Sequence, residues 1–172
     1  QFLASCYLKM NDIAGYTAVL EKLVAHYPKK SYWADLVARV QRKPGFSDRL
    51  ELDVFRLQFA LGNLSRPAEY MEMAQLALQA GFPAEAKKVL DQGYASGTLG
   101  KGAEAERQNR LRDLTNKQAA QDAKSIAQGD SEAASAKDGD ALLAIGYNYV
   151  VNGQAERGLT LMEQAVRKGS LK

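Results

Sequence analysis

The side chains best suited to chemistry are scarce in this chain, which holds one cysteine, Cys6, and one histidine, His26. A histidine-assisted nucleophile needs that pair within hydrogen-bond reach and a third group to orient the imidazole. The two fall on separate helical stretches, so a core thiol and a histidine near a helix end are the simpler reading. A single cysteine also excludes an internal disulfide and a zinc site built from several thiolates. Carboxylates three residues apart, Glu69 with Glu72 and Asp48 with Glu51, share a helix face and could serve acid-base work or a metal. Nothing apolar surrounds them, and they read as surface or capping residues. The loop from Gly97 to Gly102 is like a phosphate-binding turn in its glycines and Lys101. Gly102 stands where such a turn needs a hydroxyl, and no strand precedes it. No catalytic constellation remains, so the chain is expected not to be an enzyme, and neither a cofactor nor a metal is expected.

What positions these residues is a helical chain. Alanine is frequent, Leu, Gln, Glu, Lys and Arg are common, and runs of alternating β-branched residues are missing, which predicts an all-α fold. Val19, Leu20, Leu23 and Val24 fall at helical spacing with Glu21 and Lys22 opposite, giving an amphipathic helix that Pro28 ends. Pro44 and Gly45 mark a turn, whereas Pro67 and Pro83 sit where a helix can start without losing a hydrogen bond. Gly45, Gly62, Gly81 and Gly153 fall where helices should stop, since glycine takes the left-handed cap conformation freely. No stretch reaches the roughly 18 apolar residues of a membrane span, so no membrane insertion is expected. A net charge of +3 is too mild for a nucleic-acid binder, which needs clustered positive charge, and no nucleic-acid partner is expected.

The decisive pattern is an internal repeat. Residues 67–100 align without gaps on residues 139–172, each 34 long. The match pairs Met73-Ala74 with Ile145-Gly146, Ala77 with Tyr149, Gly81 with Gly153, Ala86 with Gly158, Leu90 with Met162 and Gly93 with Ala165. The same spacing fits residues 1–30 in part, through Leu3-Ala4, Tyr7, Asn11, Leu20 and Pro28, and residues 31–64 through Val37-Ala38, Gly45, Leu50 and Phe55. Antiparallel helices approach closely only where one offers Gly or Ala to a large residue on the other, which forces small and large residues to recur at fixed offsets. Residues 101–138 carry few large apolar side chains, chiefly Leu111, Leu114 and Ile126. They read as one long helix with a short one after Gly129, or as a degenerate repeat.

Ile145-Gly146, Tyr149, Gly153, Gly158, Met162 and Ala165 resemble the tetratricopeptide repeat, and Glu85-Ala86 matches its common acidic-small pair. Tyr16, Leu50 and Gln58 depart from it at places that usually hold a small residue. The resemblance implies a right-handed α-solenoid of antiparallel helix pairs: repeats over 1–100, a connecting or degenerate segment over 101–138, and a last repeat over 139–172. It also implies a concave groove, lined by the first helix of each repeat, that receives a peptide or partner protein. In this register the groove residues are Ser5, Leu8 and Lys9, then Asp35, Arg39, Arg42 and Lys43, then Met71, Gln75, Leu78 and Gln79, then Leu143, Tyr147 and Val150. Arg39, Arg42 and Lys43 could grip a carboxylate or an acidic segment. Met71, Leu78, Tyr147 and Val150 divide between groove and core. The lysine and asparagine clamp by which family members hold a C-terminal carboxylate is not reproduced at Ser5, Arg39, Gln75 and Tyr147.

The leading expectation is therefore a non-enzymatic scaffold for a protein or peptide partner. An RNA-binding array of the pentatricopeptide kind, which usually has a longer period and a basic groove, and a purely structural module of a larger assembly are the alternatives. Because exposed repeat ends normally need polar caps, a longer protein or end-to-end self-association is expected. Similarity to bacterial tetratricopeptide proteins suggests the periplasm or cell envelope, with the cytoplasm as alternative.

Overall fold

The computed structural model describes residues 2–126 and 128–169, except for the side chains of Ser125, Asp130, Glu132 and Ala134. The last three residues of the expected repeat 139–172 lie outside them. Among the described residues every regular element is a helix, so the fold is all-α. The chain divides into two compact units, residues 1–65 and 66–172.

The first unit contains α1 (Phe2–Lys9), α2 (Ile13–His26), α3 (Lys30–Gln41), a 3₁₀ turn (Asp48–Leu50) and α4 (Glu51–Ala60). Asn11 turns the chain at φ 54°, and the Asp12 carboxylate accepts from the Gly15 N–H at 2.8 Å, capping α2. Helix α2 buries Thr17, Leu20 and Val24 and leaves Glu21 and Lys22 exposed. It stops at His26, because the residue before Pro28 is driven out of the helical region. Gly15 lets α1 and α2 meet, since a Cβ there would lie 2.6 Å from the Tyr7 ring. The start of α3 and the end of α4 are tied together: Lys30 Nζ donates to the Gly62 carbonyl at 3.2 Å, and Asn63 Nδ2 donates to the Lys30 carbonyl at 3.3 Å.

The second unit contains α5 (Pro67–Gln79), α6 (Pro83–Ala95), α7 (Ala105–Ile126), α8 (Gly129–Ser135), α9 (Gly139–Val151) and α10 (Ala155–Lys168). Pro67 and Pro83 take the first helical positions of α5 and α6, where the missing N–H costs nothing. The α5–α6 turn passes through Gly81 at φ 81° and the α9–α10 turn through Gly153 at φ 85°. Helices α5 and α9 are each 13 residues long, and each turn places a second helix of matching length against the first. Met73, Ala74, Ala77, Ala86, Val89 and Leu90 are fully buried around α5–α6. Each large side chain among them contributes about 1.5–3 kcal/mol of transfer free energy. The α9–α10 crossing is tighter still. A Cβ on Gly158 would stand 2.4 Å from the Gly146 carbonyl oxygen and 2.5 Å from Val150 Cγ2, so the two backbones touch there.

Residues 105–126 form one 22-residue helix, on which Leu111 and Ile126 are half-buried. Its inward stripe is Gln108, Thr115 and Ala119, whereas Leu114 is 47% exposed. Gln108 Oε1 accepts from the Gly100 N–H at 2.7 Å, and Leu99 is buried against Gly93. The glycine-rich loop is thus a packed connector. Where α7 crosses α6, the Arg112 guanidinium stacks 4.2 Å from the Tyr94 ring centroid and lies 3.5 Å from Asp91, and the Tyr94 hydroxyl donates to Asn109 at 2.8 Å. Burial pushes the Tyr94 phenol above its ordinary value.

Candidate functional site

The pocket that bears on the expected groove lies wholly within the second unit. Its walls come from the α5–α6 turn (Ala80, Gly81, Phe82), the end of α7 (Ile126), the start of α8 (Gly129) and α9 from Asp140 to Tyr149. Its volume is about 690 Å³. Gly81 is needed because only its left-handed backbone brings Phe82 round to face α9. The Phe82 and Tyr147 rings meet at 4.5 Å between centroids, tilted by 50°, which suits the aromatic quadrupoles.

The floor is held by polar bonds. Tyr149 is 1% exposed, and its hydroxyl donates to the Ile126 carbonyl at 3.1 Å. Asp122 on α7 accepts from Asn148 Nδ2 at 3.2 Å and from Asn152 Nδ2 at 3.4 Å, which fixes α9 against α7. Gly129 leaves room for the Tyr149 hydroxyl, 2.8 Å from where a Cβ would sit. Arg157 covers the Tyr149 ring at 4.7 Å. On α9, Asp140, Leu143, Ala144 and Tyr147 stand at i, i+3, i+4 and i+7, so one helix face carries a carboxylate followed by an apolar strip.

Of the residues expected to line a groove, Leu143 and Tyr147 come together on this pocket. Met71, which the sequence alignment pairs with Leu143, is 8% exposed and belongs to the core. Gln75 is half-buried and Gln79 exposed, and neither lines the pocket. Arg39, Arg42 and Lys43 belong to the first unit. Arg39 is held by Asp35, with Nε 2.9 Å from Oδ1, and stacks 4.1 Å from the Tyr16 ring centroid. The Tyr16 hydroxyl donates to the other oxygen of Asp35, and this bond, helped by burial, holds the Tyr16 phenol above its ordinary value. The Arg39 charge is therefore already engaged, in a clamp joining α2 to α3. Helix α3 ends at Gln41, so Arg42 and Lys43 follow it as exposed turn residues and do not continue its face; Pro44 excludes the helical conformation just before it. Phe82 and Asp140, two walls of the pocket, were not singled out by sequence, and Ile126 was named only as one of the few large apolar residues of 101–138. The one signal was Phe82, an aromatic residue directly after the turn glycine.

Among the described residues no group of three or more His, Cys, Asp or Glu side chains could hold a metal, and no helix is long and apolar enough to cross a membrane. The described residues define an all-α protein with an apolar cavity set against an antiparallel helix pair. No protein-family model, curated protein or solved structure matches the chain.

Proposed function

We propose that this chain is a helical-repeat protein of the tetratricopeptide kind that holds a segment of a partner protein and performs no chemistry of its own. In this reading α5–α6 and α9–α10 are units of a right-handed α-solenoid, with α7 and α8 between them. The observation that carries it is the pocket between the α5–α6 turn and α9, because its apolar strip uses Leu143 and Tyr147, the first-helix positions from which such repeats bind. The matching lengths, turns and small-residue crossings of the two helix pairs support the repeat itself. A periplasmic or envelope location follows from resemblance alone.

The test is site-specific photo-crosslinking in the producing cell. With a photoreactive residue at Leu143, one discrete adduct is expected, lost on adding Tyr147→Ala. The same residue at exposed Glu163 on α10 should give none. Identical adducts at both positions, or none at Leu143, would remove the reading.

A further inference from the structure

Among the described residues of the second unit three large apolar side chains are exposed, Leu114, Leu159 and Val166, and two of them stand on α10. Leu159 is 55% and Val166 65% exposed. Helix α10 already has one buried side, that of Gly158 and Ala165, where Gly158 meets α9. Ala155, Leu159, Met162 and Val166 form a second apolar line about a quarter turn round the axis, with Ala155 exposed and Met162 half-buried. Their intervals of four, three and four residues are those of a coiled-coil seam, narrower than the face a helix turns to a globular core. A helix with two apolar faces packs twice, and α9 accounts for one of them.

We propose that this seam pairs with the same seam on a second copy of the chain, the two α10 helices running antiparallel across a two-fold axis. The contact is separate from the pocket and does not depend on the function proposed for it. A second copy is selected because the seam complements itself. In antiparallel register Ala155 faces Val166 of the other copy and Leu159 faces Met162, so small meets β-branched and long meets long, each pair repeated by symmetry. Charge selects the same orientation. Glu156 stands in the first turn of α10 and Arg167 in the last, both exposed. Antiparallel pairing brings Glu156 of each copy alongside Arg167 of the other. Arg167 lies 3.8 Å from Glu163 of its own helix, so its guanidinium would sit between two carboxylates, one from each copy. Parallel pairing would set Glu156 against Glu156 and Arg167 against Arg167, and would align the two helix dipoles. Exposed ion pairs of this kind fix orientation more than they add affinity.

Helix α10 has 14 residues and is about 21 Å long. One seam of that length buries less than the roughly 800 Å² per partner of a standard interface. The pair is accordingly weak and forms in concentrated solution. At the low copy number used for crosslinking in cells the chains stay apart, and Glu163 remains a blank there.

The experiment is sedimentation equilibrium of the purified chain from micromolar to millimolar concentration. Wild type should pass from monomer to dimer, and Leu159→Lys should stay monomeric throughout. Leu114→Lys, which removes the exposed apolar residue of α7, should pair as wild type does. Circular dichroism checks that each variant folds, and Val166→Lys replaces Leu159→Lys if it does not. Glu156→Lys and Arg167→Glu should each pair about tenfold more weakly alone, and an equimolar mixture of the two should regain wild-type pairing. A wild type that stays monomeric at the highest concentration overturns the proposal, as does a Leu159→Lys that still pairs. Loss of pairing in Leu114→Lys as well would make the association unspecific and overturn it too. If the two charge variants pair alone as strongly as wild type, the antiparallel arrangement falls.

Discussion

The α2–α3 contact of the first unit and the two helix pairs of the second are joined by different means. In residues 66–172, small residues let backbones approach: Ala74 and Ala86 in one pair, Gly146 and Gly158 in the other, with Met73, Leu90 and Tyr149 almost completely buried around them. In residues 2–65, Leu20 is the one side chain buried to that depth, and α2 meets α3 through the polar clamp of Tyr16, Asp35 and Arg39. Charge divides the same way. Nine basic and six acidic residues precede Arg66, while fourteen of each follow Ser65, so the whole net charge of +3 belongs to the first unit. A large residue at a small-residue position need not break such a fold. Tyr16 stands where the expected repeat register would put a small residue, and its hydroxyl makes a hydrogen bond to Asp35 there.

Tyr149→Ala should have the largest effect, since it empties the best-buried aromatic site and frees the Ile126 carbonyl. A loss of about 3–5 kcal/mol is expected in urea unfolding. Next comes a reciprocal exchange between the two helix pairs. Helix propensity alone says Gly158→Ala should stabilise by about 1 kcal/mol. The 2.4 Å approach to the Gly146 carbonyl says it should instead cost about 1–3 kcal/mol. A raised melting temperature for Gly158→Ala would refute close approach as what joins α9 to α10. Ala86→Gly, at the matching position of the other pair, should cost about 1 kcal/mol from propensity alone. Gly81→Ala and Gly153→Ala should each cost about 1 kcal/mol, because both have positive φ and open space around the would-be Cβ. Unequal costs would show that the turns are not equivalent.

The smallest effect concerns the polar clamp. Tyr16→Phe should cost about 1 kcal/mol at neutral pH. The folded state holds the Tyr16 proton more tightly than the unfolded chain, so this contribution is complete below the unfolded phenol value near 10 and is lost as pH rises through the higher folded value. Tyr16→Phe should therefore flatten the alkaline fall in stability and leave the share that comes from Tyr94. Thermal melts between neutral pH and strongly alkaline pH would show it.

The fold class and the helix ends were legible because they rest on local chemistry. Pro67, Pro83, Gly81 and Gly153 act on their own backbone wherever the chain goes, and the structure puts each at a helix boundary. The packing of α7 was legible only in part: of Leu111, Leu114 and Ile126 the first and last are half-buried, whereas Leu114 faces out and the buried Gln108 and Thr115 do not stand out by hydrophobicity. Those two reach the interior through hydrogen bonds to Gly100 and Leu111. The pocket was half legible. Leu143 and Tyr147 follow from the repeat register, whereas Phe82 and Ile126 join them only through tertiary approach, and Asp140 shares their face of α9 without standing out by composition.

The Gly139 N–H donates to the Gly169 carbonyl at 3.0 Å, and Lys168 Nζ donates to the Ala136 carbonyl. The α9–α10 hairpin thus leaves at the point where it entered. A segment whose ends coincide can be copied, removed or replaced in a gene while the flanking chain meets the same two anchor points. That makes the junction at Gly139 and Gly169 a natural place for this hairpin to be gained or lost.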